Sequence, residues 1–195
     1  MTSTAYDARA DEYIAAFGSM DAVHPVDRAI VEAWARGLAG PVLDAGCGPG
    51  HWTRHLAALG RDVRGVDLSR RFVEHARAAH PGIRFDLGSL DALAAGDAEF
   101  GGILSWFSTI HHEPRTLDAP LREFARTLRP GGRLLLGFFV GPQVEAFDHA
   151  VTRAYRWPAD EFERRVDAAG FDVIETHTRA TRGTRPVGTL IGARR

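Results

Sequence analysis

Two adjacent histidines, His111 and His112, close an apolar stretch that opens at Ser105. Imidazole titrates near neutral pH and can take a proton from a hydroxyl, so His111 is the candidate catalytic base. Two carboxylates come earlier. Asp44 follows the apolar pair Val42-Leu43 and precedes glycines at 46, 48 and 50, while Asp67 ends the apolar run that begins at Val63. A strand, a glycine turn, a helix and a second strand ending in an acid make up the unit that binds an adenosine-containing cofactor. Its acid takes the ribose hydroxyls through charge-assisted hydrogen bonds. Glycine suits the turn because the chain must bend sharply and bring bare backbone N–H groups against the ligand.

Small departures narrow the choice of cofactor. Counting from Gly46, the sixth position is His51, where a dinucleotide fingerprint has the third glycine that makes room for a pyrophosphate. A Walker loop needs a lysine and the chain has none; its 24 basic residues are all arginine. The same lack excludes Schiff-base chemistry within this chain. His51 and His55 lie four apart like the histidines of H-E-x-x-H, but the glutamate is missing and Arg54 would repel a cation, so no metal site is expected.

The elements around these residues alternate. Strands are expected near 41–46, 62–67, 83–87, 100–106, 132–140, 171–178 and 187–193. Helices are expected near 6–17, 25–38, 51–59, 69–79, 115–128, 143–155 and 159–169. That order predicts an α/β fold, a Rossmann-like seven-stranded, mostly parallel sheet with helices on both faces. Ser69 reads as an N-cap, Gly170 as the C-terminal glycine of a helix, and Arg129-Pro-Gly-Gly132 as a turn. In such sheets ligands gather at the carboxyl ends of the strands, which is where Ser105 to His112 falls.

Bulk composition fits one domain spanning 1–195. The chain is 45% hydrophobic and its net charge is −1, so nothing draws it as a whole to nucleic acid or to anionic membrane. No apolar run is long enough to cross a bilayer, and Met1 to Arg9 lacks a signal-peptide core. The single cysteine, Cys47, has no internal disulfide partner, and a reduced cytoplasmic location is the default expectation.

Leu43-Asp-Ala-Gly-Cys-Gly-Pro-Gly50, with Asp67 behind it, resembles the first motif of the class I S-adenosylmethionine-dependent methyltransferases, and in particular the small-molecule, ubiquinone- and menaquinone-type members. Leu128-Arg-Pro-Gly-Gly132 resembles the motif after the family's core, and Asp167-Ala-Ala-Gly-Phe171 its late helix-to-strand junction. The resemblance implies that the last strand is antiparallel. It also implies S-adenosylmethionine as cofactor, S-adenosylhomocysteine as product, and a small-molecule acceptor, with O-methylation favoured. Residues 1–38 would form a helical lid and 141–157 a short acceptor-side insertion.

On this reading Asp67 takes the ribose. Asp44, Gly46, Cys47, Gly48 and Gly50 lie by the methionine part and sugar, and Leu68, Ser89 and Leu90 lie by the adenine. Ser105 and Trp106 complete the cofactor wall. Ser89 stands where many relatives carry an acid, and Asp91 is a possible substitute. Tyr13 would face the methionine carboxylate, or else pack as a core aromatic. His112, Phe147, His149 and Tyr155 would meet the acceptor. Relatives that use a base often add an acid after the fifth strand, where this chain has Phe138 and Phe139. No nucleic acid or membrane partner is expected, and the chain would act as a monomer or homodimer. Two other readings stay open: an NAD(P)-binding oxidoreductase, and a protein that binds S-adenosylmethionine without catalysis.

Overall fold

The run Val42–Ala45 is apolar apart from Asp44 and forms a strand, β1, buried at all four positions, as a strand covered on both faces should be. In the computed structural model, which describes residues 2–195, this strand lies inside a nine-stranded sheet. β2 (Val63–Asp67) pairs with it in parallel on one side and β4 (Phe100–Trp106) on the other. β3 (Arg84–Leu87) extends the sheet beyond β2, and β5 (Leu128–Val140) beyond β4. The expected α/β architecture is present.

β5 differs from expectation at both ends. Arg129-Pro-Gly-Gly132 is a bulge inside the strand and not a turn before it. Phe100 pairs with Leu128, whereas Gly102 pairs with Arg133, and Gly131 takes up the excess with φ +73°. At its far end β5 outruns β4, whose pairing stops at Trp106 opposite Gly137. The overhanging Phe139 and Val140 take Arg156 and Trp157 as parallel partners instead. This explains why 143–155 is not the expected helix. It is a hairpin of β6 (Glu145–Phe147) and β7 (Ala154–Trp157), tied by a salt bridge from Arg156 to Glu145.

The last two strands, β8 (Phe171–Arg179) and β9 (Val187–Arg194), form a hairpin, and β9 lies antiparallel to β5 from Arg133 to Phe139. With the added hairpin the sheet has nine strands where seven were expected.

Helices cover both faces. Val31 and Trp34 of α3 (Pro25–Arg36) and Leu56 of α4 (His51–Ala58) pack on Leu104 and Leu135. Phe124 of α6 (Asp118–Thr127) and Phe162 of α7 (Ala159–Ala168) pack on the other side, where Phe162 stacks on Phe138 at 4.1 Å between ring centres. Gly170 ends α7 with φ +102°, the left-handed conformation that stops a helix.

The N-terminal segment, the first part of the expected lid, is two helices, α1 (Thr2–Ala8) and α2 (Ala10–Phe17), broken at Arg9, whereas α3 packs on the sheet. It is held to α5 (Arg70–Ala79) by Asp7 and Asp11: Asp7 accepts from the Ser69 hydroxyl at 2.6 Å, and Asp11 pairs with Arg71 at 2.8 Å. Ser69 is the expected N-cap, its Oγ accepting from Phe72 N at 3.2 Å. Ser69→Ala therefore removes both a cap and the contact with Asp7 of α1. The expected cost is about 1 kcal/mol, or roughly 2–4 °C in Tm for a chain of this size, to be read by scanning calorimetry.

Candidate functional site

Two adjoining cavities open at the carboxyl edge of the sheet. The first, ≈ 400 Å³, runs from Asp67 and Leu68 past Ser89 and Leu90 to His111 and His112. The second, ≈ 490 Å³, runs from Asp44 and Gly48 past Trp106 to Phe139 and His149. Tyr6, Tyr13, Gly46, Gly48, Trp106 and Phe107 border both.

The glycine turn works differently from the expectation. Gly46 N and Cys47 N donate to Val66 O at 2.8 and 3.0 Å, and Gly48 N donates to Asp67 Oδ2 at 2.8 Å. These N–H groups are used within the protein, holding β1 to β2, and none of the three is bare. The glycines serve space and backbone shape. At Gly46, with φ +82°, a Cβ would lie 2.1 Å from the Ser108 Cβ. At Gly48, with φ +52°, a Cβ would meet nothing within 4 Å, so open space lies over the backbone between the cavities.

Asp67 ends β2 with one backbone N–H on each oxygen, Gly48 N on Oδ2 and Ser69 N on Oδ1, both at 2.8 Å. A carboxylate has about four acceptor sites, so lone pairs remain on both oxygens for a diol. Burial raises its pKa, against the pull of those backbone donors. Asp44 is deeper, 1% exposed, and accepts from Thr53 Oγ1 at 2.6 Å. Burial pushes its carboxyl up to about 7, the Thr53 bond opposing and the Asp67 charge adding. On the same wall Trp52 Nε1 and His51 Nδ1 are buried without hydrogen-bond partners. His51 does not pair with His55, whose Nε2 lies 3.0 Å from Glu32 Oε1.

His111 borders the first cavity and meets the second only through Tyr6. Its Nδ1 is 2.7 Å from Arg153 O, a pure acceptor, so Nδ1 carries the hydrogen and Nε2 accepts from the Tyr6 hydroxyl at 2.8 Å. Burial holds His111 below the usual imidazole range, offset by the Arg153 bond, so the ring is neutral. Burial likewise raises the Tyr6 phenol, which therefore remains a donor, and pushes the Tyr13 phenol up to about 12. Tyr13 packs edge-on against Tyr6 at 5.6 Å and borders both cavities.

Several expected site residues are elsewhere. Ser105 is fully buried and borders neither cavity: β4 is covered on both faces, and the Ser105 hydroxyl is spent on Ser108 at 2.6 Å. Gly50 also borders neither, being the buried N-cap of α4 against Phe85 and Ala76. The Cys47 backbone reaches the second cavity, but its thiol packs with Val73, Ala76 and Phe85, and burial raises its pKa. His112 turns away from the second cavity to pair with Asp91 at 2.9 Å. Tyr155 packs on the core from β7 and reaches neither cavity. Phe147 is one layer back, 5.1 Å from Phe139 with the Arg185 guanidinium over its other side.

His149 does border the second cavity, its ring 5.4 Å from that of His111, and burial lowers its pKa to about 4. Leu68, Ser89, Leu90 and Trp106 all border the first cavity. Sequence reasoning missed Tyr6 and Phe107. Phe107 has φ +53° in a non-glycine residue, a strained conformation of the kind that clusters at functional sites, and packs on Phe139 at 5.1 Å. Among the described residues, no group of three or more histidine, cysteine or acidic side chains is placed to hold a metal ion, and no helix is long and apolar enough to cross a membrane.

Comparison with known proteins places this geometry in context. The sequence profile of a family described as "Methyltransferase domain" matches residues 42–132, which span the glycine turn, Asp67 and the histidine pair. "Methyltransferase GfsG" of Streptomyces halstedii is 34% identical over 77% of this chain and 59% of its own length. A "Malonyl-[acyl-carrier protein] O-methyltransferase" of Erwinia billingiae is 37% identical over 48% of this chain and 37% of its own length. The chain thus spans roughly a third to three-fifths of these curated relatives. Among solved structures, "the [4+2]-Cyclase SpnF" superposes with a TM-score of 0.80 at 17% identity, covering 98% of this chain and 95% of that one. That likeness is one of fold.

Proposed function

Because the chain belongs to the class I S-adenosylmethionine-dependent methyltransferase family, we propose that it transfers a methyl group from S-adenosylmethionine to a small organic acceptor, leaving S-adenosylhomocysteine. The observation that carries this reading is Asp67, with acceptor sites left on both oxygens, at the mouth of a cleft that meets a second cavity over an open Gly48. We read the chain as a single cytoplasmic domain, monomeric or dimeric, with no nucleic-acid partner.

The residues present fit the cofactor. Asp67 would hold the ribose, and Leu68 and Leu90 would flank the adenine. An amino-acid tail carries a carboxylate and an ammonium; the second cavity offers it the unpartnered Trp52 Nε1–H and the carboxyl of Asp44. When bound, the cofactor supplies a methyl group on a positively charged sulfur. The chain's part is mainly alignment, worth about 7–11 kcal/mol when geometry is good. His111 would take the proton that a hydroxyl acceptor sheds, which is why O-methylation is favoured.

Calorimetry tests the reading: S-adenosylhomocysteine should bind and NADH should not. Binding of NADH alone would replace it with the oxidoreductase reading. Binding of S-adenosylhomocysteine with no turnover on any acceptor would leave the non-catalytic one.

A pH dependence follows from Asp44. With its carboxyl at about 7, it is mostly neutral below that pH, whereas an ammonium partner needs it ionised. Binding at pH 6 therefore expels a proton, and affinity for S-adenosylhomocysteine should fall toward tenfold per pH unit as pH drops below about 7. Asp44→Asn should bind more weakly at pH 8 and show a flat profile between pH 6 and 8. The same slope in wild type and variant would assign the titration elsewhere.

A further inference from the structure

We propose that the outer part of the second cavity, beyond the Asp44 end that would hold the amino-acid tail, is the methyl-acceptor site and takes an uncharged aromatic hydroxyl compound, a phenol-type ring whose hydroxyl docks on Tyr6, the partner of His111. The inference rests on the methyl-transfer reading and goes further, to the acceptor's chemical class.

Shape and wall chemistry argue for a flat apolar body. Beyond the turn, the cavity is walled by Phe17, Trp106, Phe107, Ile110, Val151 and Val187. Phe139 and His149 add two further rings, 5.9 Å apart and tilted at 51°. Rings so disposed offer the edge and face contacts that aromatic ligands prefer.

Charge argues for neutrality. Among the described residues, no arginine borders this cavity. The nearby guanidiniums stand outside its wall: Arg179 is paired with Asp27 at 2.6 and 2.7 Å and Arg9 with Glu12 at 2.7 Å, while Arg185, whose charge helps lower the His149 pKa, lies behind the cavity over the Phe147 ring and donates to Asp148 O at 3.2 Å. Asp27 is thereby neutralised at the outer rim, and Asp44, at the inner end, is committed to Thr53 and to the cofactor's ammonium. An acceptor carboxylate or phosphate would be buried with no cation in direct contact, and an unpaired buried charge is costly.

The hydroxyl has one evident seat. Tyr6 borders both cavities and donates its own proton to His111 Nε2, so its oxygen can accept a second hydroxyl. The seat also gives the proton a route. The acceptor's proton passes to the Tyr6 oxygen as the Tyr6 proton passes to His111 Nε2. An imidazolium results whose Nδ1–H still rests on Arg153 O.

The test uses 2-naphthol, 2-naphthoate and 2-methoxynaphthalene as probes, titrated by calorimetry into the full chain saturated with S-adenosylhomocysteine. 2-Naphthol should bind at least tenfold more tightly than 2-naphthoate, and severalfold more tightly than the methyl ether, which has no proton to give Tyr6. Tyr6→Phe, kept saturated with S-adenosylhomocysteine, should abolish the margin between naphthol and ether. Val151→Trp, which fills the outer end of the cavity from a loop, should abolish probe binding and also spare S-adenosylhomocysteine. The proposal is overturned if the carboxylate binds as well as the phenol, if no probe binds, or if either variant leaves probe binding unchanged. Failure of S-adenosylhomocysteine to bind wild type would instead count against the methyl-transfer reading.

Discussion

Replacing His111 with glutamine should lower turnover on a hydroxyl acceptor by about 10²-fold or more and leave cofactor affinity near wild type. The expectation comes from the tautomer. Arg153 O fixes the hydrogen on Nδ1, which leaves Nε2 as the basic nitrogen, and glutamine can mimic the hydrogen bonds but not take the proton. The sign of the pH effect follows. A base works only when unprotonated, so the wild-type rate should fall as pH drops through the imidazole pKa, which burial places below its usual value of about 6.5. His111→Gln should lose that acid limb. A variant that keeps both its rate and its limb would show that alignment alone drives transfer. Loss of acceptor affinity at unchanged kcat would make His111 a binding residue.

Asp67→Ala should weaken S-adenosylhomocysteine binding by roughly 1.5–3 kcal/mol, the worth of a hydrogen bond to a charged group. Two effects combine here. On the proposed reading a bound ribose would lose its acceptor, and Gly48 N and Ser69 N lose theirs, so the turn itself is loosened. Asp67→Asn separates them, since its amide oxygen can still hold one of the two N–H groups. If the ribose contact dominates, calorimetry finds the asparagine variant nearly as weak as alanine while its thermal midpoint falls less than that of alanine. Unchanged affinity with an intact fold would remove Asp67 from the site.

What was legible in the sequence was local. Apolar runs punctuated by glycine fixed β1, β2 and the turn, because positive φ and strand burial are written into consecutive residues. The Ser69 cap and the Gly170 stop were legible for the same reason. What failed depended on partners far along the chain. The stretch 143–155 is a hairpin only because β5 outruns β4 and leaves backbone groups to be paired. Gly46 and Cys47 lose their bare N–H groups to Val66, 19 or more residues on. His112 is drawn away by Asp91, and Ser105 is hidden because β4 is buried on both faces and only its last residue, Trp106, reaches the cavities. Tyr6 has one legible signal, an aromatic on a helix otherwise polar, but its partner His111 is 105 residues away.

The β6–β7 hairpin divides the labour of the fold. It joins the sheet through two residue pairs, Phe139 with Arg156 and Val140 with Trp157, whereas the turn, Asp67 and α5 belong to the strands on the other side. Residues 148–153 between its strands supply His149 and Val151 to the outer cavity and the Arg153 carbonyl to His111. Changes at His149 and Val151 in that loop would reshape the outer cavity and leave the hydrogen bonds of Asp67 and the glycine turn in place. The molecule is in that sense modular, with the turn and Asp67 on one half of the sheet and the hairpin lip on the other. If the outer cavity takes the acceptor as proposed, grafting loops there is the route to a new acceptor range.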